Sequence, residues 1–216
     1  MSKKLSPFLP VQDFSGLWSA RSATLRCTAI RLKSGRLCLY SPVAGLNVEV
    51  LESLKALGDV QMLLAPNHYH NKGLKEYHAA FPDAKLCCSV KAKPRLEKIT
   101  DLTFDTPEDL ARDLPDNMHI LEPDGLKTGE IWIRVKERDQ LAWILTDAFA
   151  GPKGKQDDTS DEPELLGTFP KFGVADKETY SHWVEGTLSR RAPTWIIPCH
   201  GSMISGPNLE KALRAK

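Results

Sequence analysis

The stretch VQMLLAPNHYHNKGL, residues 60–74, runs from an apolar segment into two histidines that are one residue apart. The apolar run Val60–Leu64 predicts a buried strand, and His68 and His70 follow shortly after its end. Two imidazoles at positions i and i+2 beyond a strand can face the same side, which is one way for a protein to present two nitrogen ligands to a metal ion. The alternative is a pair of half-exposed histidines in an ordinary loop.

The segments before this stretch predict both a hairpin and a helix. The β-favouring segments Thr24–Leu32 and Arg36–Tyr40 flank a short turn that contains Gly35, a pattern typical of antiparallel strands. Asn47–Leu57 predicts a helix that begins after an Asn47 cap, ends at Gly58 and buries one apolar face, consisting of Val48, Leu51, Leu54 and Leu57. A hairpin followed by strands that a helix separates indicates a layered α/β protein with mixed sheets.

The segments after this stretch continue the alternation of helices and strands. A second helix is expected directly after the histidine loop, with its end before Pro82 and with one face made of Leu74, Tyr77, His78 and Phe81. Short helices are expected within residues 91–117, and the segment Gly151–Glu164 is polar enough to predict a mobile, solvated loop. The remaining elements are strands at Lys85–Val90, Met118–Leu121, Ile131–Val135, Ala142–Leu145 and Trp195–Ile197, and helices at Asp176–Arg190 and from Asn208 onward.

Composition and charge exclude several classes of function. The 216 residues include 29 Lys plus Arg against 28 Asp plus Glu, so a net charge of +1 gives no general attraction to nucleic acid or to an anionic membrane. No segment predicts a signal peptide or a membrane span, and the five cysteines include no C-x-x-C pair. We therefore expect a cytoplasmic protein with reduced thiols, built as a single domain over residues 1–216.

Two more polar residues follow apolar strands. Asp147 comes after the predicted strand Ala142–Leu145, and His200 comes after Trp195–Ile197. An unpaired charge at the end of a buried strand is costly, so Asp147 requires a hydrogen-bond partner or a cation. Taken singly, Asp147 is more commonly a turn cap and His200 more commonly a structural histidine. However, one sheet edge can gather both residues with the two histidines of the loop.

In chain order these motifs resemble the metallo-β-lactamase superfamily, whose pattern is HxHxDH, a G-H-T-x-G-like turn, a strand that ends in Asp and a strand that ends in His-Gly. The resemblance runs from about residue 25 to residue 205. It implies an α/β fold of the αββα type, a four-layer sandwich of two mixed β-sheets flanked by helices.

The resemblance also assigns ligands, residue by residue. His68 and His70 match the two leading histidines, Asp147 the bridging aspartate and His200 the last histidine. Three further ligand positions have changed: Lys72 and Gly73 replace the Asp and the last His of HxHxDH, and Leu126 replaces the histidine of the turn Gly125–Gly129. The resemblance thus implies a divergent member with a degenerate metal-binding motif.

Two interpretations of this degenerate motif remain open. His68, His70, Asp147 and His200 are sufficient for one Zn²⁺ or Fe²⁺ ion, although the family divides them between two metal positions. In the alternative no metal binds, and Lys72 occupies the place of the lost ion by pairing with Asp147. Asn71 and Lys127 are then further candidates for the lining of an anion pocket.

The two interpretations predict different functions. With one metal ion, the resemblance implies a hydrolase of an ester, amide, thioester or phosphoester bond in a small-molecule substrate, in which Asp147 orients the attacking water. Without metal, the chain is a catalytically degenerate scaffold that binds a small anion or a partner protein. Redox or oxygen chemistry at iron is a third class of function. The sequence identifies neither the substrate nor the oligomeric state.

Overall fold

The computed structural model describes residues 4–154 and 158–216, and the chain forms two compact units, Met1–Asp116 and Asn117–Lys216. Among the described residues, each unit contains one six-stranded sheet. The expectation of a single domain concerns how these units combine, and it stays a prediction.

The sheet of the first unit is mixed. Its strands lie in the order in which they occur along the chain; they are antiparallel from the first to the fourth and parallel from the fourth to the sixth. They are β1 (Leu9–Pro10), β2 (Leu17–Ser22), β3 (Leu25–Arg31), β4 (Leu37–Tyr40), β5 (Val60–Leu64) and β6 (Lys85–Cys87). The predicted hairpin is confirmed as β3 and β4, whereas β1 and β2 were not predicted, because this short segment lacks a clear two-residue alternation.

The described part of the first unit also contains the helices α1 (Val48–Leu57), α2 (Leu74–Ala80), α3 (Lys93–Thr100) and α4 (Glu108–Asp113). The predicted cap of α1 is confirmed, since the Asn47 side chain accepts a hydrogen bond from the Val50 amide. The predicted buried face is wrong in part: Val50 and Leu54 are buried, whereas Val48 is 68% exposed. Apolar residues occur on more than one face of this helix, so their spacing alone does not select the face that packs.

The sheet of the second unit is also mixed. The elements of this unit are β7 (Met118–Leu121), β8 (Trp132–Glu137), β9 (Gln140–Leu145), β10 (Thr159–Ser160), α5 (Phe169–Phe172), α6 (Lys177–Arg190), β11 (Trp195–Pro198), β12 (Met203–Ser205) and α7 (Leu209–Arg214). The strand order is β10, β12, β11, β9, β8, β7, in which the pairs β10–β12 and β11–β9 are parallel and the other pairs are antiparallel. Trp132, Trp143 and Trp183 pack together in the core of this unit.

The predicted loop Gly151–Glu164 is irregular only in part. Thr159–Ser160 forms β10 in parallel with β12, and Ala150 and Glu164 exchange backbone hydrogen bonds of 2.8 and 2.7 Å. The remainder of the predicted loop includes residues 155–157, which lie outside the described residues. The polar composition gave no indication of this pairing because backbone groups, rather than side chains, make it.

All five cysteines are free and buried, as expected for reduced thiols. None of the helices in residues 4–154 and 158–216 has the length and apolar character that crossing a membrane requires.

Candidate metal-binding residues

The histidine loop of the first unit is held by Asn67. This residue is fully buried, and its Oδ1 accepts hydrogen bonds from the amides of Tyr69 at 2.8 Å and His70 at 3.1 Å. An Asn side chain that bonds the backbone two and three residues ahead fixes a tight turn. The turn therefore sets the backbone path between the two histidines.

The imidazole of His70 has a defined orienting partner. Its Nδ1 lies 2.8 Å from the Ser41 hydroxyl, at the end of β4. Histidines that bind metals usually engage their second ring nitrogen in a hydrogen bond that fixes the tautomer and the ring orientation. The Ser41 contact therefore fixes the orientation of the His70 ring.

Gly73 has a structural reason to lack a side chain. A Cβ atom at this position would lie 2.4 Å from the carbonyl oxygen of Pro42 and 2.9 Å from the amide nitrogen of Ala44. The backbone of residues 42–44 thus occupies the space next to Gly73, where the family pattern has a histidine. A side chain at position 73 therefore requires these two backbone segments to move apart.

The other predicted residues of this loop have different environments. His68 is 8% exposed, with its ring edge-to-face against Tyr69, and its carbonyl oxygen accepts a hydrogen bond from Asn71 Nδ2 at 2.8 Å. Lys72 is exposed, and its ammonium bonds no described residue of its own unit. Asn71 thus stabilises the loop, and Lys72 adds a solvated positive charge to it.

Two parallel strands bring Asp147 and His200 together in the second unit. Leu145 of β9 lies opposite Pro198 of β11, so the carboxyl ends of both strands meet at one edge of the sheet. His200 Nε2 lies 3.0 Å from Asp147 Oδ1. A ring nitrogen and a carboxylate oxygen, both of which are possible metal ligands, therefore lie next to each other. The positions of Asp147 and His200 after apolar strands predicted this proximity.

Two glycines hold the segments that follow these residues. A Cβ atom on Gly201, whose φ is +79°, would lie 1.8 Å from the carbonyl oxygen of Gly151, and one on Gly151 would lie 2.1 Å from the carbonyl oxygen of Ser202. The Gly151 amide also donates to the His200 carbonyl at 3.0 Å. This backbone contact fixes the segment that carries His200.

Glu130 was not predicted as a site residue. It is 2% exposed, and its Oε1 accepts hydrogen bonds from Trp132 Nε1 at 2.8 Å, the Thr146 amide at 3.2 Å and the Asp147 amide at 3.3 Å. Burial, and secondarily the charge of Asp147, raises the pKa of Glu130 from 4.5 to about 7. The sequence does contain one indication of this role, since Glu130 directly precedes the apolar run that forms β8. A buried carboxyl group at that position must bond to polar groups inside the fold.

The turn Gly125–Gly129 offers no metal ligand. Leu126 is 2% exposed and belongs to the apolar core of the second unit, and Lys127 Nζ donates to the Lys171 carbonyl at 2.7 Å. The turn is therefore joined to the segment around α5 by this hydrogen bond and by apolar contacts.

The chemistry of these side chains fits a divalent metal. Imidazole nitrogen and carboxylate oxygen bind both Zn²⁺ and Fe²⁺, and each unit holds its donors in place with further hydrogen bonds. In the first unit the candidate donors are the imidazoles of His68 and His70; within the second unit the Asp147 carboxylate and the His200 imidazole lie next to each other.

Comparisons with known proteins identify the fold. No protein-family model matches the chain, and no curated protein matches it. Among solved structures, a metallo-β-lactamase from Pontibacter korlensis is 12% identical with a TM-score of 0.64, and each chain covers 98% of the other. A metallo-β-lactamase from Pseudomonas aeruginosa in a mono-zinc form is 14% identical with a TM-score of 0.63, over 99% of this chain and 95% of that one.

A rubredoxin oxygen:oxidoreductase from Desulfovibrio gigas is also similar. It is 13% identical with a TM-score of 0.65, over 96% of this chain and 61% of that one. Identities this low establish the fold and not the reaction. Two mixed six-stranded sheets with their helices match these structures, and the chain therefore has the αββα sandwich fold of the metallo-β-lactamases.

Proposed function

We propose that the chain holds one divalent metal ion through His70, Asp147 and His200, with His68 as a further ligand, and acts as a single-metal hydrolase. The observation that carries this proposal is the pairing of His200 Nε2 with Asp147 Oδ1 at 3.0 Å, where two parallel strands end. In an otherwise apolar region of sheet, a carboxylate and an imidazole at one point form the core of a ligand set.

The histidine loop supports the same proposal. The Ser41 hydroxyl fixes the His70 ring through Nδ1, and the Asn67 side chain fixes the backbone between His68 and His70. Preorganised ligands bind a metal ion with little loss of conformational entropy on binding. This degree of order exceeds what a loop of solvated histidines requires.

Each residue has a distinct role in the proposed reaction. When bound, Zn²⁺ or Fe²⁺ lowers the pKa of a coordinated water and polarises a carbonyl or phosphoryl oxygen. Asp147 accepts a hydrogen bond from the attacking water and orients it, while Glu130 holds the backbone amide of Asp147. The substrate class is a small molecule with an ester, amide, thioester or phosphoester bond.

A non-catalytic scaffold is the second candidate. Gly73 and Leu126 stand at two ligand positions of the family pattern, and neither can bind a metal ion through its side chain. In that case the pocket binds a small anion or a partner protein, with Lys72 supplying positive charge. Iron redox chemistry is the third candidate and is distinguished by iron content and visible absorbance.

The test combines metal analysis with turnover. Protein purified without a polyhistidine tag is loaded with Zn²⁺ or Fe²⁺ and assayed on nitrophenyl acetate, a nitroanilide, a thioester and a nitrophenyl phosphodiester. We expect metal-dependent turnover by the wild type, and its loss in His70→Ala and His200→Ala. His119→Ala, which removes an exposed imidazole of β7, is the matched control and should keep the activity.

The contrary outcomes are also specific. Metal binding without turnover on any substrate class would contradict the hydrolase and favour the scaffold. Iron in the purified protein with visible absorbance that changes under reductant would favour redox chemistry.

A further inference from the structure

A small cavity, entirely within the second unit, has a strongly basic lining. Its volume is about 200 Å³, and it lies between β7, β8 and β9 on one side and the end of α6 on the other. Its lining includes Arg134, Arg190, Arg191, Trp143 and Glu122. None of them belongs to the proposed metal site.

The three arginines have no acidic partners among the described residues. Arg134 extends from β8, Arg190 is the last residue of α6 and Arg191 caps that helix. Within residues 4–154 and 158–216, none of these guanidinium groups donates a hydrogen bond or forms an ion pair. Three unpaired cations around one small cavity repel one another, and an anion between them removes that repulsion.

Trp143 supplies an independent observation. Its side chain is fully buried and lines the cavity, and its Nε1 donor has no hydrogen-bond acceptor among the described residues. A buried N–H group without an acceptor costs about 1–3 kcal/mol, so native structures contain few of them. Because an indole N–H can only donate a hydrogen bond, its partner must be an acceptor, and an anion is one.

The negative charge near this cavity is smaller than the positive charge of its arginines. The end of α6 carries a partial negative charge of about half an electron, and Glu122 contributes one exposed carboxylate. The positive charge of the three guanidinium groups exceeds the sum of these two negative charges. A volume of about 200 Å³ suits a group of phosphate size and is smaller than the pockets of drug-sized ligands.

We propose that this cavity is a binding site for a phosphate dianion, held by Arg134, Arg190 and Arg191 with the Trp143 indole as a further donor. The dianion is either free phosphate or the phosphate group of a small phosphomonoester. Guanidinium groups bind phosphate oxygens in pairs of parallel hydrogen bonds, which gives this lining its preference for phosphate over halide ions.

The test is calorimetry with inorganic phosphate and with glycerol phosphate, in low-salt buffer that contains EDTA to exclude metal sites. We expect the wild type to bind at least one of the two probes. The double variant Arg190→Gln/Arg191→Gln should weaken binding about tenfold or more, since it removes two charge-assisted contacts. Both arginines are exposed, so this variant should fold normally.

Two further variants complete the design. Trp143→Phe removes the indole donor and keeps an aromatic ring, and it should also weaken binding. Arg36→Gln, at an exposed position of the first unit, removes the same charge elsewhere and should leave affinity unchanged. Tighter binding of glycerol phosphate than of inorganic phosphate would assign the site to a phosphomonoester, and equal or weaker binding would assign it to the phosphate group alone.

The overturning results are equally clear. The proposal fails if the wild type binds neither probe. It also fails if folded Arg190→Gln/Arg191→Gln binds both as tightly as the wild type does.

Discussion

The two segments that carry the candidate ligands are stabilised in different ways. In the first unit, side chains hold the histidine loop: Asn67 bonds the backbone of the turn and Ser41 bonds the His70 ring. In the second unit, backbone contacts between Gly151 and Gly201 hold the segment that carries the last histidine, and Glu130 bonds the amides at the end of β9. The histidine loop should therefore tolerate substitution better than the strand ends of the second unit.

The largest effect is expected for Gly201→Ala. The new Cβ would meet the Gly151 carbonyl at 1.8 Å, and the residue must also keep a φ of +79°. We expect a loss of about 3–5 kcal/mol in the free energy of unfolding, from left-handed strain and overpacking together. Urea denaturation measures this loss.

Gly186→Ala is its control, because a Cβ at this position in α6 meets no atom within 4 Å. It should stabilise the protein by about 0.5–1 kcal/mol through helix propensity. A cost below about 1 kcal/mol for Gly201→Ala would contradict the importance of this backbone contact.

Glu130→Ala should have the next largest effect. It leaves three donors without their buried acceptor, the Trp132 indole and the amides of Thr146 and Asp147, and should cost about 2–4 kcal/mol. Glu130→Gln keeps an acceptor oxygen and should cost less. Equal losses in both variants would contradict the acceptor role of Glu130.

Glu130 also predicts a pH dependence for the metal-free protein. Its folded pKa of about 7 lies above the ordinary 4.5, so the folded state binds this proton more tightly than the unfolded state does. The contribution of Glu130 to stability therefore falls as the pH rises from about 4.5 to about 7. Urea denaturation across this range should show that slope in the wild type and a smaller one in Glu130→Gln.

A smaller effect is expected for Asn67→Ala in the histidine loop. The substitution removes the acceptor for the amides of Tyr69 and His70 and should cost about 1–3 kcal/mol. Asn67→Asp keeps that acceptor and is the matched control. If Asn67→Ala costs more than Gly201→Ala, the contrast between the two segments is wrong.

The smallest effect is expected for Lys72→Ala. Because Lys72 is exposed, its removal should change stability by no more than about 0.5 kcal/mol. If Lys72 instead pairs with Asp147 in place of a metal ion, the loss should approach about 3–5 kcal/mol. Thermal and urea denaturation distinguish these two results.

The sequence predicted those features that side-chain patterns encode. The hairpin of β3 and β4, the Asn47 cap and the strand ends before Asp147 and His200 all follow from apolar spacing and from the polar residues that interrupt it. The packing of Gly151 against Gly201 could not be predicted, because two backbone segments far apart in sequence make it. The sequence around Glu130 indicates that its carboxyl group needs polar partners, but it does not identify those partners, which are amides sixteen and seventeen residues away.

Calorimetric zinc titration of tag-free wild type, Lys72→Asp and His200→Ala tests the central claim most directly. We predict that the wild type binds one equivalent of zinc, that Lys72→Asp binds it more tightly because a family carboxylate replaces a positive charge, and that His200→Ala loses binding. Absence of zinc binding by both the wild type and Lys72→Asp would contradict the metal site and leave the non-catalytic scaffold as the better account.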